Sequence, residues 1–279
     1  MRFLRHLPRT LLAFALILAV SGSASAVETA LLTVISFNVE SDADTNPALV
    51  ADDIAAIGGD VDLYGLAEVR DRADTQIFAQ AAERSGAPFG YMLAKHGNED
   101  RVAILYNLDT LDLQQTFELI RFPGSRKALV GEFVHKASGI EFLFMVNHFN
   151  RRDTDRRRRQ ARLIRDWVLD HDLPAVLTGD HNFDFNPETL RGNRAFEIFT
   201  ADQRLRWLRP KCLAARTCPP TGTQCDNRYN SIMDFVLIAD RARGWRGMAE
   251  VLLKRPDYCE RERRGYADHY PVRGVIEIR

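Results

Sequence analysis

Apolar residues recur along this chain in two rhythms, and the places where the rhythm changes mark its elements. Residues 31–39 (LLTVISFNV) and 61–69 (VDLYGLAEV) are rich in β-branched and aliphatic side chains, read as strands, and end in polar groups. Between them Leu49, Ile54 and Ile57 fall at helical spacing and Gly58-Gly59 supplies a stop. A second helix is expected over 73–84. FGYMLAK, RVAILYN, ALVGEFVH and IEFLFMVNH then read as adjacent antiparallel strands separated by turn formers. A helix is expected over 154–169, followed by the strand PAVLTGD, a Cys- and Pro-rich loop over 210–230, the strand SIMDFVLI (231–238) and a last strand VRGVIEI (272–278).

Strands alternating with helices in one region and with each other in another predict an α/β fold of mixed sheets covered by helices. No internal repeat, low-complexity linker or composition break divides the chain, so one domain is expected over 27–279.

Residues 1–26 stand apart. Arg2, Arg5, His6 and Arg9 form a basic start, LLAFALILAV (11–20) is a short apolar core, and ASA (24–26) is a small-residue cleavage site. That layout predicts a cleavable secretory signal peptide, because about ten apolar residues are too few to span a bilayer. A secreted or periplasmic protein without stable membrane association follows, and a monomer is expected. The whole chain has 38 basic and 38 acidic residues; losing three arginines with the leader leaves 35 against 38. A chain holding nucleic acid by bulk charge would be basic, so this one needs a local basic patch. Cys212, Cys218, Cys225 and Cys259 are an even number of thiols in an exported chain, which favours two disulfides over zinc, with three pairings open.

Candidate chemistry lies at the strand ends. Asn38 closes the first strand, Glu68 the second with Arg70 and Asp71 behind it, and Asn147-His148 close IEFLFMV. AVLTGDHNFDF places Asp180, His181, Asn182 and Asp184 within five residues, a grouping that suits both a turn and a reaction centre. Asp234 lies inside SIMDFVL, and Asp268-His269 precede the last strand. Carboxylate and amide oxygens suit a hard cation such as magnesium, and Glu68, Asn38 and Asp268 supply them. His148, His269 and Asp234 supply imidazoles and a partner carboxylate for proton transfer.

SFNV, LAEVRD, VNHF, GDHNFD, SIMDFV and ADHYPV, in that order, resemble the motif series of the endonuclease/exonuclease/phosphatase superfamily. The resemblance is to its deoxyribonuclease-like, secreted bacterial-type members and runs from about residue 31 to 278. It implies a four-layer α/β sandwich, two mixed and mostly antiparallel sheets packed face to face and flanked by helices. It further implies hydrolysis of a phosphoester with Mg²⁺ or Mn²⁺. By that resemblance Asn38 and Glu68 hold the ion with Asp268 close by, and His269, oriented by Asp234, acts as base. Asp180 shares or takes over that task, a choice the family leaves open. Asn182 and His148 contact the non-bridging oxygens, with His148 protonating the leaving group. Arg70, Asn147 and Arg151 are the expected phosphate contacts.

Two features depart from the family pattern. His181 stands where members often carry an apolar residue or Phe, and a partly buried or solvent-facing histidine is expected there rather than a second metal ligand. Phe235-Val236 follow Asp234 where the deoxyribonucleases and inositol phosphatases have Arg-Ile, which weakens transfer of their substrate preference. The basic stretch NRRDTDRRRRQARLIRDWV (150–168) is either a solvated helix face or a phosphate contact. The leading expectation is a secreted nuclease with nucleic acid as substrate. A sphingomyelinase-like or inositol-phosphate phosphoesterase is the alternative, and an inactive member serving as a binding protein is a third.

Overall fold

The structure is a computed structural model describing residues 29–41, 45–239, 244–252, 257–261 and 265–279. The signal-peptide expectation for 1–26 lies outside the described residues.

Two six-stranded sheets face each other. The first contains β1 (Ala30–Asn38), β2 (Leu63–Val69), β3 (Phe89–Leu93), β4 (Arg101–Asn107), β11 (Arg246–Val251) and β12 (Val272–Ile278), in the order β11-β12-β1-β2-β4-β3. The second contains β5 (Leu111–Glu118), β6 (Leu129–His135), β7 (Ile140–His148), β8 (Ala175–Phe185), β9 (Leu205–Trp207) and β10 (Ile232–Ala239), in the order β5-β6-β7-β8-β10-β9. Each sheet has one parallel pair, β1 with β2 and β7 with β8, and its other pairs are antiparallel.

A parallel pair needs a crossover, and helices α1 (Pro47–Ile57) and α3 (Thr154–Asp170) provide the two. Their starts are set locally. Asn46 caps α1 by accepting from the Ala48 amide with Pro47 in the first turn, and Asp153 caps α3 by accepting from Arg156. α2 (Arg72–Glu83) starts at an Asp71 cap. The short helices α4 (Arg194–Phe199), α5 (Lys211–Ala215) and α6 (Tyr258–Arg261) complete the set among the described residues.

Alternation along the strands sorts side chains into layers. Leu32 and Val34 of β1, Phe144 and Val146 of β7, and Val236 and Ile238 of β10 fill the space between the sheets. Ile35 and Phe37 point the other way, under α1 and α2. Leu143, Met145, Leu177 and Phe235 likewise pack beneath α3 and α4. The result is the expected four layers, helix–sheet–sheet–helix. The sheets approach closely where Gly65 meets Thr178: a Cβ on Gly65 would lie 2.0 Å from the Thr178 hydroxyl.

Three expectations need correction. The run from FGYMLAK to IEFLFMVNH is not one antiparallel series, because the chain switches sheets after β4. β5, β9 and β11 were not anticipated; β5 alternates too weakly to announce itself, with polar residues over most of its length, and it forms a sheet edge. Residues 175–185 form a continuous strand, not a strand and a turn. Asn182 (φ 49°) and Asp184 (φ 48°) take left-handed backbone inside it, and the pairing with β10 shifts register there. That is a bulge, which re-aims side chains without ending the strand. The cysteines form two disulfides, Cys212–Cys218 and Cys225–Cys259.

Candidate active site

On β1, β7, β8 and β10, the inward-facing side chains run from apolar core into one polar position at the same end of the sandwich. Val34 and Ser36 lead to Asn38, Val146 to His148, Val176 and Thr178 to Asp180, and Val236 to Asp234. Registers align three of these in a row across the second sheet, since His148 and Asp234 both pair with Asp180. The sheets are stitched together here: the Gly179 amide donates to Ser36 Oγ at 2.9 Å, and Asn38 Nδ2 donates to Asp180 Oδ2 at 3.3 Å.

Glu68 reaches this row by a backbone irregularity. It has φ 59° where the β2–β4 register shifts, so a residue of the outer parity is turned toward the site. Its Oε1 accepts from Asn38 Nδ2 at 2.8 Å and lies 3.6 Å from His148 Nε2. His148 Nε2 is also 3.5 Å from Asp180 Oδ2, and its Nδ1 faces Asp100 Oδ1 at 3.1 Å. Burial opposes ionisation of Asp100, but the facing His148 and Arg126 outweigh it and hold its pKa down at about 2.

A second imidazole–carboxylate pair mirrors the first. His269 Nδ1 lies 2.7 Å from Asp234 Oδ2, and His269 Nε2 lies 3.7 Å from Asp268 Oδ1. Burial disfavours the imidazolium of His269, yet Asp234, Asp268 and Asp180 overcome it and place its pKa well above the ordinary value. Asp180 stands between the pairs; burial works against its charge, but His148 and His269 hold its pKa low. The segment carrying Asp268 and His269 is held by the loop before β10. Gln224 Nε2 donates to Asp268 Oδ2 at 2.7 Å, the Cys225 amide donates to the Asp268 carbonyl, and Cys225–Cys259 ties that loop to α6.

The donor set fits a divalent cation. Ligand atoms of Glu68, Asp100 and His148 lie within 4.8 Å of one another. Beside them Glu40 accepts from the Asp268 amide, and its pKa is pushed up to about 9 by burial and then by Asp268 and Glu68. Burial likewise lifts the Glu68 pKa above the ordinary carboxylate value. Carboxylates crowded until their charges cost this much are stabilised by a hard cation among oxygen donors.

The predicted residues therefore divide. Asn38, Glu68, His148, Asp180, Asn182, Asp234, Asp268 and His269 converge, with the Asn182 amide donating to Asp180 Oδ1 at 2.9 Å. Arg151 stands beside them, bonded to Asn182 Oδ1 at 3.2 Å, with its charge engaged by Asp184 and its guanidinium 3.8 Å over the Tyr229 ring. Arg70 has its guanidinium paired with Asp74 and Asp71 at the start of α2. Asn147 has the parity of Met145 and Phe149, which face α3, so being next to His148 in sequence puts it on the opposite side of the sheet.

His181 is fully buried among Phe149, Phe183, Phe199 and Phe235, not solvent-facing. Its Nδ1 meets the Gly179 carbonyl at 2.8 Å, and burial lowers its pKa to about 4. Between pH 6.5 and 4 the unfolded chain therefore binds a proton here that the folded one refuses, so stability falls as pH is lowered through that window. The full difference is worth roughly 3 kcal/mol. His181→Phe, matching the surrounding rings, is expected to flatten that part of the stability–pH curve. Denaturant unfolding at pH 7 and pH 5 checks this, and an unchanged slope refutes it.

Glu40, Asp100, Gln224 and Arg126 were missed by the sequence reading. Glu40 had a signal, since it follows Asn38 by two positions at a strand end. Asp100 had none: it closes an irregular loop and reaches His148 across 48 residues of chain.

No family model matches the chain, and no curated protein matches it by sequence. Solved structures do match. An endonuclease/exonuclease/phosphatase family protein from Bacteroides thetaiotaomicron aligns at 20% identity and TM-score 0.66, covering 90% of this chain and 99% of that one. A mannosyl-6-phosphatase from the same organism aligns at 20% identity and TM-score 0.61, covering 88% and 99%. D. rerio TDP2 complexed with a single-strand DNA product aligns at 15% identity and TM-score 0.63, covering 88% and 98%. The chain has the fold of endonuclease/exonuclease/phosphatase proteins.

Proposed function

We propose that this protein, sharing that fold and carrying the corresponding motifs, is a divalent-metal-dependent phosphodiesterase and that its substrate is DNA or RNA. The observation carrying this reading is the convergence of two imidazole–carboxylate pairs on Asp180 beside the crowded carboxylates Glu40, Glu68 and Asp268. A binding surface has no need of two such pairs; a displacement at phosphorus needs one group to take a proton and another to give one.

Mg²⁺ or Mn²⁺, held by Glu68 and Asn38 with Glu40, Asp268 and Asp100 around them, would supply positive charge to the phosphoryl oxygens. The protein's own groups do the rest. His269, fixed at Nδ1 by Asp234, takes the proton of the attacking water at Nε2. His148, fixed at Nδ1 by Asp100, gives the leaving oxygen a proton from Nε2. Asp180 stands between them and stabilises the imidazolium that forms on His269. Asn182 is clamped by Arg151 on Oδ1 and by the Phe149 carbonyl on Nδ2, leaving one amide hydrogen for a non-bridging oxygen. Fixed donors aimed at developing charge stabilise the transition state more than the ground state.

Export is part of the reading. It rests on the leader-like residues 1–26 and the two disulfides, which persist in oxidising compartments. Among the described residues no helix is long and apolar enough to cross a membrane. The test is to incubate the purified protein with plasmid DNA, RNA, sphingomyelin and inositol trisphosphate, with Mg²⁺ or with chelator. Nicking of plasmid or cleavage of RNA that stops in chelator is expected. Turnover of the lipid or inositol phosphate alone would overturn the nuclease reading, and no turnover of any would overturn the enzyme.

A further inference from the structure

Beside the catalytic centre a groove of about 1100 Å³ opens between the β3 edge of the first sheet and β5 and β6 of the second. Arg72, Tyr91, Lys95, Arg101, Phe117 and Ile120 line it. One loop joins it to the site: residues 95–100 start at the groove with Lys95 and His96 and end at Asp100 against His148. Both ends of that loop are fixed. Glu118 accepts from the Lys95 amide at 2.6 Å and meets His96 Nδ1 at 2.7 Å, and Arg126 holds Asp100 at the other end.

We infer that this groove binds the single-stranded segment of a nucleic acid flanking the phosphate under attack, an inference that rests on the phosphodiesterase reading and narrows it to a polymeric substrate. Charge is the first argument. Arg72, Lys95 and Arg101 stand here against one acid, Glu118, in a chain with equal numbers of basic and acidic residues. That is the local basic patch which a chain without bulk positive charge requires to hold a polyanion. The second argument is a ring: Tyr91 is half-buried, steadied by a 2.9 Å bond from Gln76 to its hydroxyl, with Arg72 5.9 Å over its face. Cationic walls with a fixed aromatic face are what unpaired bases and their phosphates bind. Acyl chains of a lipid would instead bury those cations against hydrocarbon, which is costly.

Arg72 and Lys95 are exposed and outside the catalytic groups, so their charges can be changed without touching the chemistry. The experiment measures binding of a fluorescent single-stranded oligonucleotide by anisotropy in chelator, and hydrolysis of bis(p-nitrophenyl) phosphate in Mg²⁺, for the parent, for Arg72→Glu/Lys95→Glu and for Arg72→Gln/Lys95→Gln. The double reversal is expected to weaken oligonucleotide binding about tenfold or more. Both pairs are expected to reduce the slope of log affinity against log salt by about 1.4, two phosphate contacts on a single strand. Hydrolysis of the small diester, which has no flanking strand, is expected to stay at the parent level. Absent or unchanged oligonucleotide binding overturns the inference, as does a proportional loss on the small diester. A variant defect seen on sphingomyelin vesicles and not on the oligonucleotide overturns it in favour of a lipid. If the parent shows no chelator-sensitive hydrolysis of the diester, the phosphodiesterase reading fails, and the binding data still decide the groove.

Discussion

His269→Ala will lower kcat on a phosphodiester by about two to four orders of magnitude with KM near the parent value, the size of a lost general base. The imidazole is buried, fixed at Nδ1 by Asp234, and its Nε2 is the face turned to the site. Because Asp234, Asp268 and Asp180 raise its pKa against the effect of burial, the neutral form dominates only above the ordinary imidazole range. The activity of the parent should therefore climb with pH through that raised value. Asp234→Asn removes the largest of the charges opposing burial, so the pKa falls and the ascending limb moves to lower pH, while kcat drops because Nδ1 loses its anionic partner. A pH–rate profile of both proteins at saturating Mg²⁺ measures the movement. A limb that stays in place in Asp234→Asn would assign the titration to another group, and an active His269→Ala would hand the base to Asp180.

Much of the site was legible because strand parity and strand ends are sequence properties. Asn38, His148 and Asp180 each sit two or four positions after an inward apolar residue and Asp234 two before one, so one rule of parity selects all four. The same rule, applied strictly, rejects Asn147, which adjacency to His148 had recommended. Glu68 breaks it: alternation assigns the position to the outer face, and only left-handed backbone at a register shift turns it inward. The groups that sequence did not disclose come from loops whose course depends on long-range partners. Asp100 is placed by His148 and Arg126, and Gln224 by Asp268. Sheet membership was hidden for a related reason. β3, β4, β6 and β7 have similar apolar patterns, and nothing local in the weakly patterned β5 says that the chain has crossed to the other sheet.

Glu68→Gln is expected to cost at least about a hundredfold in metal-dependent turnover, since it removes an anionic donor from the centre of the cation site and leaves the shape unchanged. Gln preserves the acceptor for Asn38 Nδ2, so the local fold persists. Stability separates a metal role from a merely structural one. A ligand that binds only the folded state stabilises it by RT ln(1 + [L]/Kd), about 2.7 kcal/mol at a hundred times Kd. The parent should therefore melt higher with Mg²⁺ or Mn²⁺ than with chelator, and the variant should lose most of that response. In chelator the order reverses. Burial raises the Glu68 pKa, so at neutral pH the folded parent carries a charge that the unfolded chain holds more easily, and the variant does not. At pH 7 without metal Glu68→Gln should melt above the parent, and the gap should close as pH falls from the raised pKa to the ordinary carboxylate value, below which both states of the parent are protonated. A parent whose melting ignores both cations, or a variant that melts lower in chelator at pH 7, would make Glu68 a structural carboxylate and leave the cation without its central ligand.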